Sequence, residues 1–129
     1  MPLYNLACKA VLDNDQRQHI AEVVTQTHCE LTGAPAEFVN VAFMEGLPLR
    51  KDESFNVVGG VRSGGNRDDE LAEKLRETML KNIASAANVA ETAVKVTLIG
   101  VPGNWNMESG RVLPEPGTEN EWLGRAEQA

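Results

Sequence analysis

A proline stands directly after the initiator methionine: the sequence opens Met1-Pro2-Leu3-Tyr4. Removal of Met1 before so small a residue leaves Pro2 as a free secondary amine. Such an amine acts as a general base when its surroundings keep it neutral near pH 7. Other residues could work with it. His28 lies four residues after Val24 and three before Leu31, at the border of a helical apolar stripe. From there an imidazole could hold a substrate carbonyl or carboxylate by hydrogen bond. Arg67 precedes an acidic helix start, Asp68, Asp69 and Glu70, and Arg62 lies inside the glycine-rich stretch GGVRSGG, residues 59–65. Guanidinium groups there would grip a carboxylate bidentately and orient a small acid. A helix N-terminus favours the same anion, and the glycines let backbone approach it closely. Glu108, in the segment NWNMESGR, could orient a water or the amine.

Other chemistries are excluded. GGVRSGG fits neither the phosphate-loop nor the dinucleotide spacing. His19, His28, Cys8 and Cys29 fall at different periodic positions, so no metal is expected. Cys29 beside His28 is no nucleophile–base pair, because adjacent helix residues point about 100° apart. The formal net charge is −7 and no lysine/arginine stripe runs along any segment, so nucleic acid is a poor partner. No apolar run approaches the roughly 20 residues of a membrane helix, and no basic-then-apolar leader opens the chain. Two cysteines in such a chain read as reduced thiols, and a cytoplasmic location is expected.

The elements that must position these groups follow from periodicity. At 129 residues the chain is expected to form a single domain. Residues 2–9 read as a strand, Asp13 or Asn14 as the cap of a helix over 15–32, and Gly33 with Pro35 as its stop. Residues 38–44 form a second strand, completing a β-α-β unit over 2–45. After a polar loop (46–54) the order repeats over 55–101: strand FNVVGGV, a helix over 68–88 ended by Asn88, and strand AVKVTLIGV (93–101). The expected class is α+β, with two consecutive β-α-β units forming a four-stranded mixed sheet and both helices on one face. If an approximate two-fold axis relates the units, Pro2, His28, Arg67 and Glu108 converge on one sheet edge. Residues 102–129 have no period, yet carry Trp105, Val112, Leu113 and Trp122. Such an arm is expected to pack on a neighbouring subunit.

The opening MPLY, the helix end THCELTG, the stretch GGVRSGG and the C-terminal ESGRVLPEPGTENEW together resemble the tautomerase superfamily. Within it the chain is most similar to the cis-3-chloroacrylic acid dehalogenase group. The resemblance covers nearly the whole chain and implies a homotrimer with the tautomerase fold, which also serves in macrophage migration inhibitory factor. It implies a cofactor-independent tautomerase of small 2-oxo acids, with Pro2 catalytic and an anionic carboxylate substrate. Carried over residue by residue, His28 and Arg67 bind substrate and Glu108 is the second catalytic group. A second substrate-binding arginine of the family meets Gly64, which leaves Arg62 as its substitute. The family's tyrosine on the last strand meets Thr97. Those departures weigh against efficient dehalogenation more than against tautomerisation. Two alternatives accompany this reading. In one, Pro2 stays protonated and Glu108 activates water to add to a 3-haloacrylic acid; in the other, the trimer binds without catalysis.

Overall fold

A computed structural model describes residues 2–119, 121 and 123; Met1, Trp122 and the far end of the arm lie outside the described residues. Strand β1 (Leu3–Cys8) leads to helix α1 (Asn14–Thr32) and strand β2 (Asn40–Met44). Strand β3 (Phe55–Ser63), helix α2 (Asp69–Ala87) and strand β4 (Val94–Pro102) repeat the order. A hairpin of β5 (Met107–Glu108) and β6 (Arg111–Val112) follows.

The ends of the helices were written into the sequence. At the start of α1 the Asp13 carboxylate accepts from Gln16 N (2.8 Å), while the Gln16 side chain accepts from Asp13 N (2.9 Å). This reciprocal box satisfies two amides that the helix itself cannot. Gly33 ends α1 at φ 75°, and Asn88 ends α2 at φ 56°. Both adopt the left-handed conformation that glycine and asparagine tolerate best.

The sheet order is β2-β1-β3-β4, with β1 parallel to β2, β3 parallel to β4, and β1 antiparallel to β3. The two units therefore run in opposite directions, as the expected two-fold relation requires. Leu3 pairs with both Asn40 and Gly60, so the start of β1 meets the start of β2 and the end of β3. The helices pack on each other and cover one face of the sheet. Tyr4, Leu6, Val57, Ile20, Val24, Met79 and Ile83 fill the space between, each buried. The alternate residues Leu3, Met44, Val58 and Ile99 are exposed on the other face.

Three expectations shift in detail. A turn of 3₁₀ helix, Ala36–Phe38, follows Pro35 and delays β2 to residue 40. Strand β3 continues through the glycines to Ser63 because β4 pairs with it as far as Pro102, which puts Arg62 on a strand rather than in a loop. The arm, read as aperiodic, contains the hairpin, turned by Ser109 and Gly110 at φ 53° and 72°.

Replacing Asp13 by Ala removes one half of the cap and is expected to lower the unfolding free energy by about 1 kcal/mol. Urea denaturation of both proteins measures this; an unchanged midpoint would contradict the role given to the box.

Candidate active site

Two side-chain contacts form where β1 begins, β3 ends and the helices turn: Tyr4 with His28, and Glu119 with Arg62 and Arg67. Tyr4 and Pro2 alternate with Leu3 along the chain and lie on the helix-covered side; both are buried. The Pro2 carbonyl accepts from Asn40 N (3.0 Å), which ties the segment before β1 to the start of β2. The Tyr4 hydroxyl lies 2.7 Å from Nδ1 of His28, with the two rings edge-on at 5.6 Å between centroids. His28 occupies the penultimate turn of α1 and is 2% exposed. Its Nε2 is buried without a hydrogen-bond partner among the described residues. Burial, helped by the nearby Arg67 and Arg62 charges, pulls the imidazole down to a pKa of about 3, so His28 is neutral at physiological pH.

Arg67 reaches across from the start of α2 to the end of α1. Its guanidinium donates to the Thr32 carbonyl (3.2 Å) and to the Asn66 side chain. Helix α1 has no basic residue in its last turn, so Arg67 supplies the cation that its C-terminal dipole favours. A third contact runs to Oε1 of Glu119 at 3.4 Å. Arg62 grips the same oxygen at 2.5 Å and donates to the Pro114 carbonyl at 2.7 Å. Its guanidinium also lies 5.7 Å from the Phe38 ring centroid. The three charged side chains are between 2% and 8% exposed. Two guanidiniums thus share one carboxylate, and the longer contact leaves Arg67 the less neutralised. A cavity of about 260 Å³ opens beside Arg62 and Arg67, lined also by Asp68, Leu71, Leu98 and Gly100.

The glycine-rich stretch works differently from the expectation. Gly64 and Gly65 have φ of 94° and 55°, and a Cβ on Gly65 would lie 2.1 Å from the Pro116 carbonyl oxygen. What approaches these glycines is the protein's own arm, the Glu115 side chain at Gly64 and the Pro116 backbone at Gly65. The N-terminus of α2 is likewise occupied from within, since Asp68 accepts from Leu71 N at 2.7 Å. Thr97 lies on the open face of β4, and Glu108 stands on the hairpin opposite Arg111, half-buried and off the four-stranded sheet.

Tyr4 and Glu119 were missed by the sequence reading. Tyr4 carried a usable signal, since residues two apart on a strand share a face and Pro2 had already been singled out. Glu119 carried none, because the arm has no periodicity to fix its position.

Comparison with solved structures shows which fold this is. A member of the cis-3-chloroacrylic acid dehalogenase family superposes with a TM-score of 0.81 at 24% identity, covering 98% of this chain and 95% of that one. The chain has the tautomerase fold. A fused 4-OT solved as an asymmetric trimer gives a TM-score of 0.73 at 15% identity, over 85% of this chain and 94% of that one. A macrophage migration inhibitory factor homologue from Prochlorococcus marinus gives 0.68 at 17% identity, over 87% and 99%. No family model matches the sequence, and no curated protein matches it significantly. The tautomerase fold accounts for the two opposed β-α-β units and for the sheet edge at which β1 begins. Among the described residues no helix is long and apolar enough to cross a membrane, and no three metal-ligating side chains cluster.

The depressed imidazole sets a pH dependence. Unfolded His28 takes up a proton near pH 6.5, whereas the folded group resists to about pH 3. The unfolded state therefore binds more protons between those values, and stability present above pH 6.5 is lost as the pH falls. Between pH 7 and 4.5 wild type should lose about 2–3 kcal/mol more than His28→Gln, from 1.36 kcal/mol per unit. Chemical denaturation at both pH values measures the difference; parallel losses would show that His28 is protonated in the folded state.

Proposed function

We propose that this chain is a member of the tautomerase superfamily, in its cis-3-chloroacrylic acid dehalogenase-like group. On this reading it interconverts enol and keto forms of small 2-oxo acids in the cytoplasm, without a cofactor. The observation that carries the reading is the buried edge where β1 begins: neutral His28, its Nε2 without a partner among the described residues, beside two guanidiniums that share one carboxylate.

The catalytic base is the free amine of Pro2, exposed by loss of Met1. The unbalanced positive charge disfavours its protonated form and holds it neutral. Arg67 binds the substrate carboxylate, and His28 holds the oxygen on the adjacent carbon. The Pro2 nitrogen removes the enol hydroxyl proton, the electrons shift to form the C=O bond, and the amine returns a proton to the neighbouring carbon. Atoms balance, and the product is an isomer. Arg62, expected beside Arg67 as a second carboxylate ligand, takes a supporting part here, because Glu119 and Pro114 already occupy it. Glu108 is the second catalytic group of the family pattern; in the alternative hydration of a haloacrylic acid it activates the water.

The active form is a homotrimer, with the exposed part of the arm around Trp105 packing on the next subunit while residues 114–119 hold to their own. Support comes from the open sheet face, which presents Leu3, Met44, Val58 and Ile99, and from Trp105, 73% exposed on the arm. An apolar sheet face of this kind needs a partner.

The test is the ketonisation of phenylpyruvate enol by wild type, Pro2→Ala and Arg67→Ala, after intact mass has established that Met1 is absent. Pro2→Ala is expected to lower kcat/KM by about 10²-fold or more, and Arg67→Ala to act mainly on KM. Equal rates for wild type and Pro2→Ala would overturn the catalytic reading and leave a binding trimer.

A further inference from the structure

Nδ1 of His28 and the Tyr4 hydroxyl share one hydrogen bond but bring two protons to it, so the assignment of those protons decides what Nε2 can do. Either the phenol donates to Nδ1 and Nε2 carries the imidazole hydrogen, or Nδ1 donates to the phenol oxygen and Nε2 is a bare lone pair.

The contact distance and the relative acceptor strengths favour the first. The 2.7 Å separation is typical of an O–H donor and at the short limit for an N–H donor. Burial raises the phenol and lowers the imidazole, so both groups are neutral and each holds one proton in either arrangement. An imidazole nitrogen is a far better acceptor than a phenol oxygen. The contact is also sterically enforced. Gly59, paired with Tyr4 across the sheet, leaves room for the ring where a Cβ would lie 2.7 Å from it and 2.9 Å from Leu98.

We propose that Tyr4 is a positioning residue that locks His28 in the Nε2–H tautomer, making Nε2 a neutral hydrogen-bond donor reserved for a substrate oxygen acceptor. Its cost is one buried N–H without a partner among the described residues. An unpartnered donor of this kind is satisfied by a carbonyl, enolate or carboxylate oxygen and not by a hydroxyl hydrogen. The inference rests on the proposed tautomerase reading for its consequence: His28 polarises the oxygen but transfers no proton, so all proton movement falls to Pro2. The tautomer itself can be read without any turnover.

The experiment is a two-bond ¹H–¹⁵N spectrum of imidazole-labelled trimer at pH 7, with the exposed His19 replaced by Gln to leave one histidine. Wild-type Tyr4 is expected to give a protonated Nε2 and an unprotonated Nδ1, and Tyr4→Phe a mixture of tautomers. Phenylpyruvate turnover by Tyr4→Phe should fall in kcat more than it rises in KM. A protonated Nδ1 with Tyr4 intact, or a spectrum that Tyr4→Phe leaves unchanged, overturns the proposal. Should Tyr4→Phe fail to fold, the spectrum with Tyr4 intact decides alone. Loss of the Nε2–H pattern would refute the tautomer, whereas the pattern without turnover would refute the enzyme.

Discussion

Glu119 lies between two buried guanidiniums, and the edge of the sheet is organised around that unequal sharing. A buried charge is costly unless paired, so Arg62 needs the carboxylate that it grips at 2.5 Å. Arg67 receives only the outer reach of the same oxygen, and makes up its hydrogen bonds at the end of α1. The network therefore does two things. It clamps the arm, through Pro114 and Glu119, across the end of β3, and it sets two guanidinium charges where they act on His28.

That charge has consequences for its neighbours. An imidazole buried beside it stays neutral, and any amine there would be pushed in the same direction. On the proposed reading, a neutral donor and a neutral base work together on an anionic substrate. The orphaned Nε2 of His28, the phenol that fixes it and the glycine that admits the phenol form one chain of dependence running through β1, α1 and β3.

Much of this was legible before any coordinates. Alternation in 93–101, the Asp13 and Gly33 caps and the repeated strand–helix–strand order give the sheet and its opposed halves directly, because each rests on local periodicity. His28 and Arg67 come together for the same reason: topology alone brings a helix end and a helix start to one edge. What stayed hidden depends on long-range packing. The arm folds back on glycines that looked like ligand contacts, and its Pro116 carbonyl, not a substrate, fills the space a side chain would take at Gly65. Arg62 changed from loop to strand because β4 extends the pairing, which no window on residues 59–65 contains.

The proposed chemistry turns on the protonation state of one nitrogen. Titration of the Pro2 nitrogen by NMR in proline-labelled protein tests it most directly. The account predicts a titrating secondary amine with a pKa well below 7. A value well above 7 would mean a protonated amine and favour hydration over tautomerisation, and no titrating amine at all would mean that Pro2 is acylated and is not the base.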